Sequence, residues 1–163
     1  MSILSMCQWL QDTAIGTNIR ESIWTFPIIE TTHVLGLSIS VGLLLVSDLR
    51  LMGVILRKRS VTEVYEQIKP WMFAGFTIMI ITGIFLFWCQ AVKAWNSYFF
   101  RAKIILLILA AVNAIAFERG IYRKVKEWDN ALVPPVEARI AGWASLILWA
   151  AIITCGRTMA YTF

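Results

Sequence analysis

Glu30 and His33 are the residue pair best suited to chemistry, because both are ionisable and both stand in a long apolar segment. Three positions apart in a helix, their side chains share a face and can hydrogen-bond. Ionisable groups at membrane depth are costly, so they normally face a bundle interior and mark a functional site. We expect His33 to be a ligand or proton-handling group oriented by Glu30. The alternative is that Glu30 lies near the lipid headgroups, while His33 bonds a Ser or Thr of a neighbouring helix.

His33 is the only histidine of the chain, and a neutral imidazole is a common axial ligand of haem iron. This predicts a haem b site with a redox or electron-transfer role. Lys103 and Arg157 could then pair with the haem propionates, and Tyr161 belongs to the same candidate cofactor site. The Glu-x-x-His spacing also occurs in di-iron bundles, but those need a second such motif, which this chain lacks.

Copper is the competing metal, because the soft sulfur atoms of Cys89, Cys155 and nearby methionines could join His33 as ligands. No pair of these residues has a spacing that is diagnostic of a metal site. A third interpretation involves no metal. In it, the small chain is a quinone-binding or structural subunit of a larger membrane complex.

Two pairs of small residues have the spacing of a contact between membrane helices. Gly36 with Ser40, and Ser38 with Gly42, have the small-xxx-small spacing that allows two membrane helices to approach closely. The close approach could occur within the bundle or between the subunits of a homo-oligomer.

The composition requires a membrane environment for these residues. Of 163 residues, 59% are hydrophobic and only 15% charged, and the mean hydropathy is +0.71, well above a soluble domain. A spanning helix needs roughly 20 mostly apolar residues. We therefore predict an all-α integral membrane four-helix bundle, one transmembrane domain over residues 1–163, with spans at about 24–46, 71–91, 101–117 and 140–155.

The boundaries of these elements follow from local signals. The first helix should continue to Leu56, because the sequence stays apolar to that point, and the second should begin after Pro70 and Trp71. The N-terminal residues 1–13 lack the basic region of a cleavable signal peptide. They predict a short amphipathic helix at the lipid interface, with Gly16 and Asn18 marking the turn before the first span.

Cation counts in the connections predict the orientation. Nine Lys and Arg residues lie in the first-to-second and third-to-fourth connections, against five on the opposite side. We expect a multi-pass protein of the bacterial inner membrane with both termini in the periplasm and the lipid bilayer as its main partner. The net charge of +5 reflects these loops, so no nucleic-acid partner is expected.

In this topology, several polar residues share the outer layer of the bundle. The layer holds Glu30, His33, Cys89, Gln90, Lys103, Cys155, Arg157 and Tyr161. Cys7 lies on the same side, so an oxidising compartment would permit one disulfide among the three cysteines. Alternatively, Cys89 and Cys155 pack as small apolar side chains. Sequence alone leaves this choice open.

Several motifs resemble a family of short, uncharacterised four-helix proteins of the bacterial inner membrane. The resemblance rests on Pro27-Ile-Ile-Glu-Thr-Thr-His33-Val-Leu-Gly-Leu, Ser47-Asp-Leu-Arg-Leu-Met-Gly53, Thr82-Gly83, Lys103, Asn113-Ala114, Ser145-Leu-Ile-Leu-Trp149 and Gly156-Arg157. It covers most of the chain and implies the four-helix fold without implying an activity.

The first span also resembles two families of known activity. His33, Gly42 and Arg50-Leu51 are similar to a pattern in HemJ-type membrane haem proteins, which oxidise protoporphyrinogen, and in CopD-type copper-resistance proteins. Both resemblances imply a haem or copper site at His33. The chain lacks the further histidines of either family.

Overall fold

The structure is a computed structural model that describes residues 2–161, all of whose regular elements are helical. The helices are α1 (Ile3–Gln11), α2 (Ala14–Glu21), α3 (Thr25–Leu51), α4 (Val61–Cys89), α5 (Ala91–Asn96), α6 (Tyr98–Ala116) and α7 (Val136–Tyr161). A π-helical turn, Phe117–Ile121, and a 3-10 helix, Tyr122–Glu127, follow α6 directly.

Four of these helices are long and apolar enough to cross a membrane: α3, α4, α6 with its extension, and α7. The predicted four-helix transmembrane bundle is thereby confirmed. We call the end that holds α1, α2, α5 and Tyr161 the terminal end. The opposite end, with residues 52–60 and 117–135, is the loop end.

Two helix boundaries differ from the sequence prediction. α3 stops at Leu51 rather than Leu56, because Gly53 follows with φ 72° and Leu56 itself has φ 50°, conformations that a helix cannot contain. α4 begins well before Pro70, because the Ser60 hydroxyl caps its first turn by accepting the Glu63 N–H at 3.1 Å. Pro70 therefore lies inside the helix.

Small residues bring α3 against α4. A Cβ added to Gly75 would lie 3.0 Å from the Gly36 carbonyl oxygen and 3.0 Å from the Ser40 nitrogen, so the two backbones nearly touch. The Gly36 and Ser40 spacing thus serves a contact within the bundle. A Cβ at Gly42 would meet nothing within 4 Å, and Ser38 is also exposed, so their stripe faces away from the bundle.

The N-terminal residues form two short helices where one was predicted. Gly16 and Asn18 lie inside α2, not in a turn, because the chain turns earlier, at Asp12 and Thr13, where the Thr13 hydroxyl accepts the Gly16 N–H at 3.3 Å. Met1 lies outside the described residues. α1 exposes Ile3, Leu4, Met6 and Trp9, which is the apolar face that an interfacial helix presents to lipid.

The two N-terminal helices are fixed to the end of α4 and the start of α5. The Trp88 indole donates to the Thr13 hydroxyl at 2.8 Å, and the Gln11 side-chain oxygen accepts the Val92 N–H at 3.2 Å. They therefore form a cap over the terminal end of the bundle.

Arg50 organises the loop end. It is 1% exposed, and its guanidinium donates to the carbonyl oxygens of Arg59, at 3.0 and 2.9 Å, and Ala131, at 3.2 Å. These carbonyls belong to the two different loops of this end, so one buried side chain holds both against α3. Asp48, two residues earlier, instead lies beside the Ser145 hydroxyl of α7. Arg50 and Asp48 therefore bond to different neighbours.

Asp129 links the same two loops. Its carboxylate accepts the Ser60 hydroxyl at 2.8 Å and the Thr62 N–H at 2.7 Å, which adds a second cap to α4. Burial alone would raise the pKa of Asp129. The hydrogen bonds from Thr62 and Ser60 outweigh it, so the pKa lies below its ordinary value.

Candidate functional site

His33, Thr82, Lys103 and Cys155 meet in the half of the bundle near the terminal end. One comes from each membrane-spanning helix: α3, α4, α6 and α7 respectively. His33 bonds Thr82, and the Lys103 ammonium is close enough to His33 and Cys155 to interact electrostatically with both. The structure thus brings together three residues of the predicted outer layer, His33, Lys103 and Cys155.

The contact with Thr82 favours one tautomer of His33. The Thr82 hydroxyl lies within hydrogen-bond distance of two helix carbonyls, Ile78 at 2.7 Å and Met79 at 3.2 Å, to which threonines in helices commonly donate. With its one hydrogen placed there, the hydroxyl accepts at the His33 Nδ1 atom, 3.0 Å away. This arrangement places the hydrogen of the neutral ring on Nδ1 and a lone pair on Nε2.

The ring also has a hydrogen bond with the Met79 backbone, and no side chain within 2–161 hydrogen-bonds the Nε2 atom of His33. A half-buried imidazole with one nitrogen fixed and the other free is prepared to bind a metal or to accept a proton. The chemically available atom of the site is therefore Nε2.

Gly83 lets the imidazole pack directly on α4. A Cβ at this position would lie 3.2 Å from the Cε1 atom of His33, closer than ordinary van der Waals contact. A larger residue would push the ring away from Thr82. The Thr82-Gly83 pair thus positions His33 through both a hydrogen bond and the absence of a side chain.

Lys103 is a half-buried cation without a counter-ion in the part of the chain that the structure describes. Its Nζ atom lies 3.5 Å from where a Cβ on Gly156 would be, so that glycine leaves room for the ammonium. A charge held away from water is costly unless an opposite charge or hydrogen bonds compensate it. Lys103 therefore favours an anionic or strongly polar ligand beside His33.

The structure places Glu30 outside this cluster. Its side chain is exposed, and it makes no hydrogen bond among residues 2–161, so it does not orient the imidazole. His33 turns toward α4, and Glu30, rotated around α3, faces outward. The bonding of His33 to a threonine of a neighbouring helix matches the alternative interpretation of the sequence.

Arg157 and Tyr161 lie at the exposed end of α7 and contact each other. The guanidinium donates to the Tyr161 hydroxyl at 3.1 Å and lies over its ring at 5.6 Å from the centroid. Neither residue contacts His33. Arg157 is one residue from Gly156, so it stands at the rim of the cluster rather than in it.

Aromatic pairs lie on both sides of the His33 layer. Phe87 of α4 stacks on Phe100 of α6 at 5.3 Å, and Phe76 of α4 packs on Trp149 of α7, also at 5.3 Å. Along α4, Phe87 is about 8 Å and Phe76 about 9 Å from Thr82, at a rise of about 1.5 Å per residue. The polar cluster is therefore enclosed along the bundle axis by apolar surface.

All three cysteines are free thiols. Cys7 and Cys89 are buried and Cys155 is half-buried, as small apolar residues would be. Within the described residues, no group of three or more His, Cys, Asp and Glu side chains could hold a metal ion.

Thr82, Gly83 and Gly156 were not predicted as site residues. In the sequence, Thr82-Gly83 and Gly156 stand out only as motifs shared with the family that the chain resembles. A threonine in an apolar helix gives no signal of its partner, which stands 49 positions away. A glycine likewise does not indicate which side chain it accommodates.

The chain belongs to the DUF6644 family, a family of unknown function, whose model matches residues 13–162. This agrees with the resemblance to an uncharacterised family. No curated protein and no solved structure matches the chain.

Proposed function

We propose that this DUF6644 member is a haem-b-binding membrane protein with a redox or electron-transfer role, and that the Nε2 atom of His33 is the axial ligand. The observation that carries the proposal is the contact between His33 Nδ1 and the Thr82 hydroxyl at 3.0 Å, which favours a hydrogen on Nδ1 and a lone pair on Nε2. Histidine ligands typically donate their second ring N–H in this way, which fixes ring orientation and tautomer.

The donor set favours haem over a bare metal ion. Haem iron already has four ring nitrogens and needs as little as one protein ligand, whereas a copper ion would need several side chains. The chain has one histidine and no metal-binding group of three among residues 2–161. Copper handling is therefore the weaker alternative, and copper that stayed substoichiometric in the purified protein would exclude it.

Each chain residue has a definite role in this proposal. Lys103 would pair with a propionate, and Arg157 at the rim would pair with the second one or stay with Tyr161. Thr82 hydrogen-bonds the imidazole, and Gly83 leaves the space that the ring occupies. When bound, the haem would supply one-electron chemistry, while the aromatic pairs exclude water on either side.

The decisive experiment is an absorption spectrum. Protein purified from haem-replete cells should show a Soret band near one haem per chain, and His33→Ala should lose it while remaining folded by circular dichroism. Glu30→Gln is the matched control: it changes a nearby ionisable residue outside the cluster and should keep the band. A colourless wild type would overturn the proposal.

A quinone site is the second candidate, and one observation favours it. The Lys103 ammonium can donate to a quinone oxygen and the His33 Nε2 can accept a hydrogen from a quinol, and both face the same interior layer. Solvent extraction of the purified protein would reveal a stoichiometric quinone. A structural subunit of a larger complex would instead co-purify with a partner and carry neither group.

We further propose that the protein lies in the bacterial inner membrane with its terminal end in the periplasm. The excess of Lys and Arg in the loop-end connections, nine against five, supports this orientation. Single cysteines placed at Ser2 and at Lys58, in a background without Cys7, Cys89 and Cys155, test it. An impermeant thiol reagent added to whole cells with a permeabilised outer membrane should label only the first.

A further inference from the structure

Seven cations at the loop end have no partner within the part of the chain that the structure describes. They are exposed and make no salt bridge, side-chain hydrogen bond or ring contact among residues 2–161. The seven are Arg57, Lys58, Arg119, Arg123, Lys124, Lys126 and Arg139. We call them the basic face.

The carboxylates of the same end do not fully neutralise it, and two of them pair with other cations. Glu63 pairs with Arg59 and Glu66 with Lys69. Glu118 accepts from Tyr65, and Asp129 accepts from Ser60 and Thr62. Glu127 and Glu137 have no partner among the described residues. Seven cations thus face four carboxylates that no cation pairs with, Glu118, Glu127, Asp129 and Glu137, so the basic face keeps a positive excess.

Cations at the terminal end behave differently. Arg20 donates to the Gln11 carbonyl, Arg101 lies over the Tyr98 ring and Arg157 bonds Tyr161. Lys93 is exposed and has no partner among residues 2–161. With seven such cations at the loop end, the unpartnered surface cations are concentrated there.

The segment after α6 holds part of the basic face in a fixed position. Val125 is buried in a core cluster with Leu51, Val61, Phe117, Ala138 and Ala141, and Tyr122 packs against it. The neighbours Arg123, Lys124 and Lys126 are exposed. The apolar side of this short helix therefore fastens to the bundle while its cations point outward.

The depth of this segment matches a lipid headgroup layer. α6 has 19 residues, which span about 28 Å at a rise of about 1.5 Å each. The hydrocarbon core of a bilayer is about 30 Å thick. Residues 117–127 consequently leave the hydrocarbon where the phosphates of the adjoining leaflet lie.

We propose that the basic face binds the headgroups of anionic phospholipids in the leaflet at the loop end. Fixed positive charge, absence of internal partners and headgroup depth together match this ligand. Clusters of cations next to a membrane span attract anionic lipid in this way. The inference does not depend on the cofactor at His33 or on which side the loop end faces.

The test compares two triple variants. Arg123→Gln, Lys124→Gln and Lys126→Gln remove three cations of the basic face. The matched control, Arg20→Gln, Lys93→Gln and Arg101→Gln, removes three cations at the terminal end. Delipidated protein in detergent is titrated with phosphatidylglycerol, phosphatidylcholine or inorganic phosphate, and binding is followed by the shift in thermal unfolding.

Wild type should bind phosphatidylglycerol in preference to phosphatidylcholine and should not respond to inorganic phosphate. Each cation contributes about fivefold, so the basic-face triple should weaken phosphatidylglycerol binding by about a hundredfold, and the control should change little. Equal losses in both triples, an unchanged affinity in the basic-face triple, or an equal response to inorganic phosphate would overturn the proposal. Should the triple not fold, Arg57→Gln with Lys58→Gln should weaken binding about twentyfold.

Discussion

The Nδ1 atom of His33 lies 3.0 Å from the hydroxyl oxygen of Thr82, and this contact favours one tautomer of the imidazole. When the Thr82 hydroxyl donates to the Ile78 carbonyl at 2.7 Å, it accepts from Nδ1 and leaves a lone pair on Nε2. One threonine on α4 thus orients a histidine on α3.

Removing the Thr82 hydroxyl should weaken cofactor binding without unfolding the protein. Thr82→Val keeps the shape but leaves Nδ1 without its acceptor, so we expect about a 10–100-fold loss of haem affinity, the usual effect of removing such a partner. Thr77→Val is the matched control. Thr77 makes the same kind of bond, to the Phe73 carbonyl at 2.9 Å, but is exposed and away from His33. Haem titration of both proteins measures the difference, and equal affinities would contradict the role of Thr82.

Replacing Lys103 should weaken ligand binding but stabilise the cofactor-free protein. Lys103→Met removes a half-buried charge that has no counter-ion within the described residues. The free energy of unfolding of the cofactor-free protein should therefore rise by about 1 kcal/mol or more. The retention of an anionic ligand should fall. Lys93→Met, at an exposed position of α5, should change neither quantity. Thermal unfolding and haem retention in detergent are the two measurements, and a destabilised cofactor-free Lys103→Met would show that the ammonium is compensated.

The α3–α4 contact should not accept even one added methyl group. Gly75→Ala would place a Cβ 3.0 Å from backbone atoms of Gly36 and Ser40, and backbone cannot move aside as a side chain can. We expect a loss of about 1–3 kcal/mol in stability. Gly42→Ala enters open space and should be neutral or stabilise by up to about 1 kcal/mol, because alanine is the better helix former. Similar unfolding temperatures for the two variants would refute the close approach.

Acid should loosen the loop end through Asp129. Its folded pKa lies below the ordinary value, so the unfolded chain binds the proton more tightly than the folded one. The stabilisation is therefore complete above the ordinary aspartate pKa and is lost as pH falls toward the lower folded pKa. Unfolding followed from pH 7 to acidic pH should show this decline in wild type.

Asp129→Ala should lower stability at pH 7 by about 1 kcal/mol, the usual value of a helix cap, and should lessen the acid-dependent decline. Glu137→Ala, which removes an exposed carboxylate without a partner in the described structure, is the control. An unaltered pH profile in Asp129→Ala would assign the acid sensitivity to another group.

The sequence by itself determined the solvent and the number of spans. Hydropathy adds up along the chain and does not depend on which helix meets which, so the four apolar segments could be recognised individually. The depth of the polar residues followed as well, because consecutive spans alternate in direction. For this reason His33, Lys103 and Cys155 could be placed in one layer. Hydropathy did not predict two helix boundaries, because the cap at Ser60 and the left-handed conformation of Gly53 set them.

Only the tertiary structure decided which residues touch. Glu30 shares a helix face with His33 by spacing, yet the rotation of α3 is fixed by the contact of Gly36 with Gly75 on α4. That rotation turns the imidazole toward Thr82 and leaves Glu30 exposed. A side chain's partner depends on how helices distant in sequence pack against each other, which no local pattern contains.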